Sequence, residues 1–217
     1  LISEIHFRDT RLQPIWKKVQ AGERLTFDDG KVLFQTTDVL SLGKMAHFVQ
    51  KNLSGDAVYF VLNQKIEPTN VCVLSCKFCN FAVRQGDPKA YEMTIAEMLA
   101  KLTPEIHEVH MTGGLHPDWT WEYYLDMMRQ IRTHFPNLDI KAFTAVEIDF
   151  FHKKFKLSIE EVLRQLKEAG MRTMPGGGAE VFSERVRKEL FHQKIGAQSW
   201  LDIHRKAHSL GIASNAT

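Results

Sequence analysis

The stretch 108–143 opens Glu108-Val109-His110-Met111-Thr112-Gly113-Gly114-Leu115-His116-Pro117-Asp118-Trp119 and closes Pro136-Asn137-Leu138-Asp139-Ile140-Lys141-Ala142-Phe143. A run of strand length ends in two glycines. Tyr124, Met128, Ile131 and Phe135 then recur at helical spacing as far as Pro136, and a second strand of four or five residues comes after it. Strands separated by a whole helix cannot form a hairpin; they pair in parallel through a crossover.

The same unit recurs on both sides. Further strands are expected at 57–62, at Met171–Met174 and at 212–216. Thr94 and Glu97 form a capping box ahead of Ile95, Met98, Leu99 and Leu102, closed by Pro104. Ser158 and Glu161 form another ahead of Val162, Leu163 and Leu166, with Gly170 as the C-terminal glycine. Trp200, Ile203, His204 and Ala207 make a last face, stopped by Gly211. The fold class is therefore α/β, a partial (β/α) barrel of TIM type occupying 56–217. Residues 1–55 form a polar helical segment anchored by Trp16, Val19, Leu25, Leu40 and Phe48. A closed barrel needs about 250 residues, and a chain of 217 that starts at Leu1 and stops at Thr217 reads as a fragment lacking its C-terminal part.

A hydrophobic content of 44% supports a globular core, and a formal net charge of +2 is too mild to argue for nucleic acid or an acidic membrane surface. No apolar run approaches the length of a membrane span. The run Phe151-His152-Lys153-Lys154-Phe155-Lys156 mixes aromatics and bases, but its short length suits a solvated loop. All three cysteines fall in Cys72-Val73-Leu74-Ser75-Cys76-Lys77-Phe78-Cys79, a C-x3-C-x2-C loop. An odd, clustered set is the wrong arithmetic for disulfides and points to the reducing cytoplasm. Structural zinc asks for four ligands. A [4Fe–4S] cluster held by three thiolates keeps one open iron for a small molecule.

Chemistry in parallel α/β folds gathers at the C-terminal strand ends. The cysteine loop, Thr112-Gly113-Gly114, Thr144-Ala145-Val146-Glu147 and Pro175-Gly176-Gly177-Gly178-Ala179-Glu180 all lie there. The physical expectation is S-adenosylmethionine (SAM) on the open iron. Backbone at Gly113 and Gly114 would meet its amino group, Glu180 the ribose hydroxyls, and a cation such as Arg187 the carboxylate. Each has a plainer reading: the glycines as turns, Glu180 as a helix cap, Arg187 as part of a solvated face. Glu147 and His116 are candidates for substrate contacts or proton transfer. His204 and His208, four apart on a helix, suit core and surface histidines better than a metal site.

The cysteine loop, with an aromatic before its last cysteine, resembles the signature of radical SAM enzymes. Glu67-Pro68-Thr69-Asn70-Val71-Cys72, Gly113-Gly114-Leu115-His116-Pro117-Asp118 and Pro175-Gly176-Gly177-Gly178-Ala179-Glu180 look like the menaquinone and deazaflavin branch. Within it, Lys141-Ala142-Phe143-Thr144-Ala145-Val146-Glu147-Ile148-Asp149-Phe150-Phe151, Ile203-His204-Arg205-Lys206-Ala207-His208 and Ser214-Asn215-Ala216-Thr217 look most like the aminodeoxyfutalosine synthases. The resemblance implies a barrel of the radical SAM type, Cys72, Cys76 and Cys79 as cluster ligands, and Phe78 beside the cofactor. It also implies SAM as co-substrate, an enolpyruvyl benzoate as small-molecule substrate, and a one-electron reductant such as flavodoxin or ferredoxin, with no nucleic acid or membrane partner. The sister dehypoxanthine futalosine cyclases are the alternative, and a non-catalytic zinc-binding module is the alternative of another class.

Overall fold

Five parallel strands, β1 (Asn63–Ile66), β2 (Glu108–Met111), β3 (Asp139–Ala142), β4 (Met171–Met174) and β5 (Ala213–Ser214), lie side by side in sequence order. This is the arrangement in the computed structural model, which describes residues 5–216. Sequential order with right-handed crossovers has no switch point, so every connecting helix packs on one face, as in a barrel wall. The fold is thus α/β, a partial (β/α) barrel.

The pairing of β2 with β3 sets Glu108 opposite Asp139 and Met111 opposite Ala142. Alternation does the rest. Val109, Met111, Ile140 and Ala142 are buried, while the residues between them stay partly open. Under the sheet α5 (Trp121–His134) buries Tyr124, Met127, Met128 and Ile131, and α7 (Ile159–Glu168) buries Val162, Leu163 and Leu166. Trp200, Ile203, His204 and Ala207 of α9 (Ala197–Ser209) are buried as well. The capping boxes expected at Thr94–Glu97 and Ser158–Glu161 both form, opening α4 (Ile95–Ala100) and α7.

Three expectations change. The first strand is not the apolar run 57–62 but the polar tetrapeptide after it. Val58, Tyr59 and Phe60 are exposed, and pairing begins where the Leu62 carbonyl accepts the amides of His107 and Glu108. A strand needs a partner more than it needs apolar residues, and Asn63 is the residue that faces Glu108. The run around Phe151 is not a solvated loop but the last turns of α6 (Ala145–Phe155), with Phe151 buried. Leu40 is exposed and anchors nothing.

The chain divides into two units, Leu1–Phe60 and Val61–Thr217. The first consists of α1 (Leu12–Ala21), α2 (Phe27–Gln35) and α3 (Val39–Ser54). Its core is Ile5, Leu12, Ile15 and Met45, flanked by Trp16, Val19 and Leu25. Phe48 sets its ring edge-on to Trp16 at 4.9 Å. The second unit holds the sheet, with α8 (Glu184–Leu190) in the link between β4 and α9. Among the described residues no helix is long and apolar enough to cross a membrane.

Candidate functional site

Each strand ends abruptly, and the chain beyond it rises over the sheet. After β3, Phe143 takes a left-handed φ of 62°, which swings the chain into the Thr144 cap of α6. After β2, Gly114 passes so close to the segment before Cys72 that a Cβ would stand 2.1 Å from the Val71 carbonyl oxygen. Glycine is therefore demanded there by a neighbouring backbone. The same holds at Gly176, where a Cβ would meet the Asn215 carbonyl oxygen at 2.0 Å.

These strand ends enclose one cavity of about 270 Å3. Cys72, Cys76, Phe78 and Cys79 line it from the loop after β1, and Thr112, Gly113 and Gly114 from the end of β2. Thr144, Val146 and Glu147 line it from the end of β3, and Gly178 from the loop after β4. The cysteine loop is tied down along its length. Val73 N–H donates to the Leu115 carbonyl at 3.0 Å, and Lys77 N–H to the Leu190 carbonyl at 2.8 Å. Ser75 N–H and Oγ both reach Gln193 Oε1, at 2.7 and 2.8 Å. Leu74 N–H points at Cys72 Sγ, 3.4 Å away, the kind of donor that stabilises a thiolate. Burial pushes the Cys76 thiol up, opposed by the nearby Lys194 charge.

Among the described residues no three His, Cys, Asp or Glu donors are gathered closely around one point. A cubane asks for something different, one thiolate at each of three separate irons. Three thiols of a single loop around a cavity, with an amide aimed at one sulfur, fit that requirement.

Glu147 is the most unusual group in the cavity. Its Oε2 accepts the Thr144 amide at 2.6 Å and the Thr144 hydroxyl at 2.8 Å, completing a capping box at the head of α6. Oε1 accepts the Gly113 amide at 3.3 Å. The side chain is 6% exposed, and burial pushes its carboxyl up to about 7 despite those donors. The amide of Gly113 thus faces a carboxylate of the protein itself.

The remaining expected site residues fall elsewhere. Arg187 lies outside the cavity, clasping Glu184 through two bonds of 2.9 Å and donating to the carbonyls of His192 and Lys194. Glu180, at a left-handed φ of 55°, pairs with Lys194 at 2.6 Å. His116 is buried inside the loop after β2 and does not line the cavity. His204 is buried, with Nδ1 2.9 Å from Ser214 Oγ, while His208 is exposed.

The residue that sequence reasoning missed is Lys194. It comes from the link between α8 and α9 and lines the cavity, its Nζ 5.2 Å from the centre of the Phe78 ring. No spacing or strand end marks it; only the fold brings it there.

Residues 66–217 match the family model described as the Radical SAM superfamily. The chain is 45% identical over 214 residues to an aminodeoxyfutalosine synthase of Thermus thermophilus, covering 97% of this chain and 58% of that protein. It is 38% identical over 205 residues to an aminodeoxyfutalosine synthase of Streptomyces coelicolor, covering 93% and 53%. The chain therefore spans a little over half the length of these relatives. Among solved structures, that of methylornithine synthase superposes with a TM-score of 0.66 at 19% identity, over 92% of this chain and 57% of that one, and so shares the fold. Since the family match begins at the last residue of β1 and takes in every strand end that builds the cavity, the chain belongs to the Radical SAM superfamily, whose enzymes work with an iron–sulfur cluster and SAM.

Proposed function

We propose that the protein catalyses the aminodeoxyfutalosine synthase reaction of menaquinone biosynthesis. SAM is consumed as a substrate: its C–S bond breaks to release methionine, and its 5′-deoxyadenosyl group adds to the enol-ether double bond of 3-[(1-carboxyvinyl)oxy]benzoate, with aryl migration and loss of the carboxylate as carbon dioxide or bicarbonate, giving 6-amino-6-deoxyfutalosine. The observation that carries this reading is the gathering of Cys72, Cys76 and Cys79 with Gly113, Glu147 and Lys194 around one cavity. The 45% identity to the Thermus thermophilus synthase supports it.

Cys72, Cys76 and Cys79 would hold a [4Fe–4S] cluster whose fourth iron is left to the amino and carboxylate groups of SAM. When bound, the cluster supplies the single electron that cleaves the sulfonium C–S bond. The chain's own residues bind and orient. Lys194, rather than Arg187, is the cation at hand for a carboxylate, since Arg187 is engaged by Glu184 while Lys194 lines the cavity. Releasing Glu180 from Lys194 would free both for ligand, the lysine for a carboxylate and the glutamate for ribose hydroxyls. Glu147 presents a buried oxygen beside Gly113, suited to an ammonium or hydroxyl of the ligand. Phe78, stacked edge-on against Phe191 at 5.7 Å, offers an apolar wall that excludes water. The electron comes from a one-electron donor such as flavodoxin or ferredoxin, and the thiolate cluster calls for the reducing cytoplasm.

The test is anaerobic reconstitution of the full-length protein, incubated with SAM, reductant and the enolpyruvyl benzoate, with products read by mass spectrometry. Aminodeoxyfutalosine containing the adenosyl carbons is expected, and Cys76→Ala should reduce its formation to background. Free 5′-deoxyadenosine formed together with a cyclised product, when dehypoxanthine futalosine is supplied in place of the benzoate, would point instead to the cyclase reaction. Cys76→Ala with wild-type turnover would end the radical SAM reading.

A further inference from the structure

We propose that His116 is a positioning residue, a neutral imidazole at the hub of a knot that holds the 112–119 loop, and through it the cysteine loop, in working position.

The ring is 2% exposed and lies outside the cavity. Its Nδ1 accepts two backbone amides, from Asp118 at 3.1 Å and Trp119 at 3.2 Å. Two N–H groups aimed at one nitrogen require a lone pair there, so the proton of the neutral ring sits on Nε2. Nε2 stands 3.1 Å from Glu92 Oε1, off the line of a true hydrogen bond. The distance is sound and the angle poor, so this is an electrostatic contact. Glu92 uses its other oxygen for the Trp119 indole N–H, at 3.0 Å. The Trp119 ring in turn stacks on His116, centroids 4.8 Å apart and planes 18° from parallel.

The knot is fastened on three sides. Lys154 of α6 donates to the carbonyls of His116 and Trp119, at 3.0 and 2.6 Å. Gln85 donates to Asp118 Oδ2 at 2.6 Å. One residue before His116, the Leu115 carbonyl accepts the amide of Val73, next to Cys72. The 112–119 loop is thus clamped between α6 and the segment after the cysteines, and it carries Gly113 and Gly114 into the cavity wall. Buried outside the cavity, with Nδ1 taken by two amides and Nε2 turned towards Glu92 without a hydrogen bond, the imidazole meets no atom of a ligand in the cavity. Its effect on the reaction is geometric, and misplacing a binding wall by about 1 Å can cost about 100-fold in rate.

The pair His116→Ala and His116→Asn separates positioning from proton transfer. The Asn side chain places Oδ1 where Nδ1 stood and can still accept the two amides, but it lacks the second ring nitrogen. Two readouts are taken on full-length protein. Amide hydrogen exchange over 72–79 and 112–119 is measured without cluster or SAM, and turnover is measured after reconstitution. The first does not depend on the proposed reaction, so failure of that reading and failure of this one are distinguishable. His116→Ala is expected to speed exchange in both segments about tenfold and to lower turnover about 10- to 100-fold. His116→Asn is expected to restore most of both. If the alanine protein does not fold, Lys154→Met, which keeps an unbranched stem but loses both carbonyl contacts along with the ammonium over the Phe150 and Phe155 rings, should show the same faster exchange at 112–119. His116→Asn and His116→Ala equally inactive, with exchange unchanged in both, would overturn positioning in favour of proton transfer. Lys154→Met with wild-type exchange would overturn the knot.

Discussion

The heads of α6 and α7 are built from the same local chemistry and behave in opposite ways. Thr144 with Glu147 and Ser158 with Glu161 each make a capping box, hydroxyl to the third amide and carboxylate back to the cap. Glu161 faces solvent, and its bonds to Ser158 hold its carboxyl below the usual range. Glu147 sits under the cavity, and burial overrides the same bonds, pushing its carboxyl up to about 7. Local sequence chooses the cap. The surroundings of the cap decide whether its acid is a plain staple or a group poised to change charge near neutral pH.

The largest expected contrast is in the pH dependence of stability. Glu147 binds its proton more tightly folded than unfolded, so its contribution is complete below the unfolded value of 4.5 and is lost as pH rises towards about 7. That loss amounts to about 3 kcal/mol. Denaturant unfolding of wild type and Glu147→Gln between pH 4 and 8 should show the wild type losing stability relative to the variant as pH rises. Glu161→Gln should give the reverse sign. Its carboxyl is lowered in the fold, so its contribution is present above the unfolded value and is lost as pH falls. Parallel curves for wild type and Glu147→Gln would break the comparison, because they would mean that Glu147 is not shifted upward.

Next in size is the effect on turnover. Glu147→Gln keeps the shape of the side chain but replaces one of its two oxygens, which accept the Thr144 and Gly113 amides, with a donating carboxamide NH2. It should cost about tenfold or more in kcat/KM, while Glu161→Gln stays within about twofold. Steady-state assays of the two variants side by side would decide it. Equal activities would sink the distinction between the two helix heads.

The smallest effect should be shared. Thr144→Ala and Ser158→Ala each remove one N-cap acceptor, which costs about 1 kcal/mol in either place. Thermal unfolding at one pH is expected to give similar shifts for the two. A much larger loss at Thr144 would sharpen the comparison, since it would show that the α6 cap also supports the cavity floor through Glu147.

The same division runs through the rest of the molecule. Helix starts at Thr94 and Ser158, the strands Glu108–Met111 and Met171–Met174, and the buried face of Tyr124, Met128 and Ile131 were all legible in the chain. So was the meeting of four strand ends in one cavity, because parallel α/β winding brings strand C-termini to one side. Illegible were the features that rest on a distant partner. The apolar run at 57–62 looked like a strand, but pairing begins at Asn63, opposite Glu108. Arg187 was the expected cation for a carboxylate, but the fold leaves it out of the cavity lining and brings in Lys194 instead. Gly114 and Gly176 were legible as places of close approach, but not that another stretch of backbone, at Val71 and at Asn215, is what comes close.

The sequence by itself determined the parallel α/β fold, the caps and the three-thiol loop, because each depends on residues only a few positions apart, where spacing translates directly into geometry. The tertiary structure alone decided that Lys194 is the cavity's cation, that His116 belongs to a knot outside it, and that Glu147 holds its proton towards neutral pH. Those properties arise from burial and from contacts between segments far apart in the chain, and neither is written in the residues themselves.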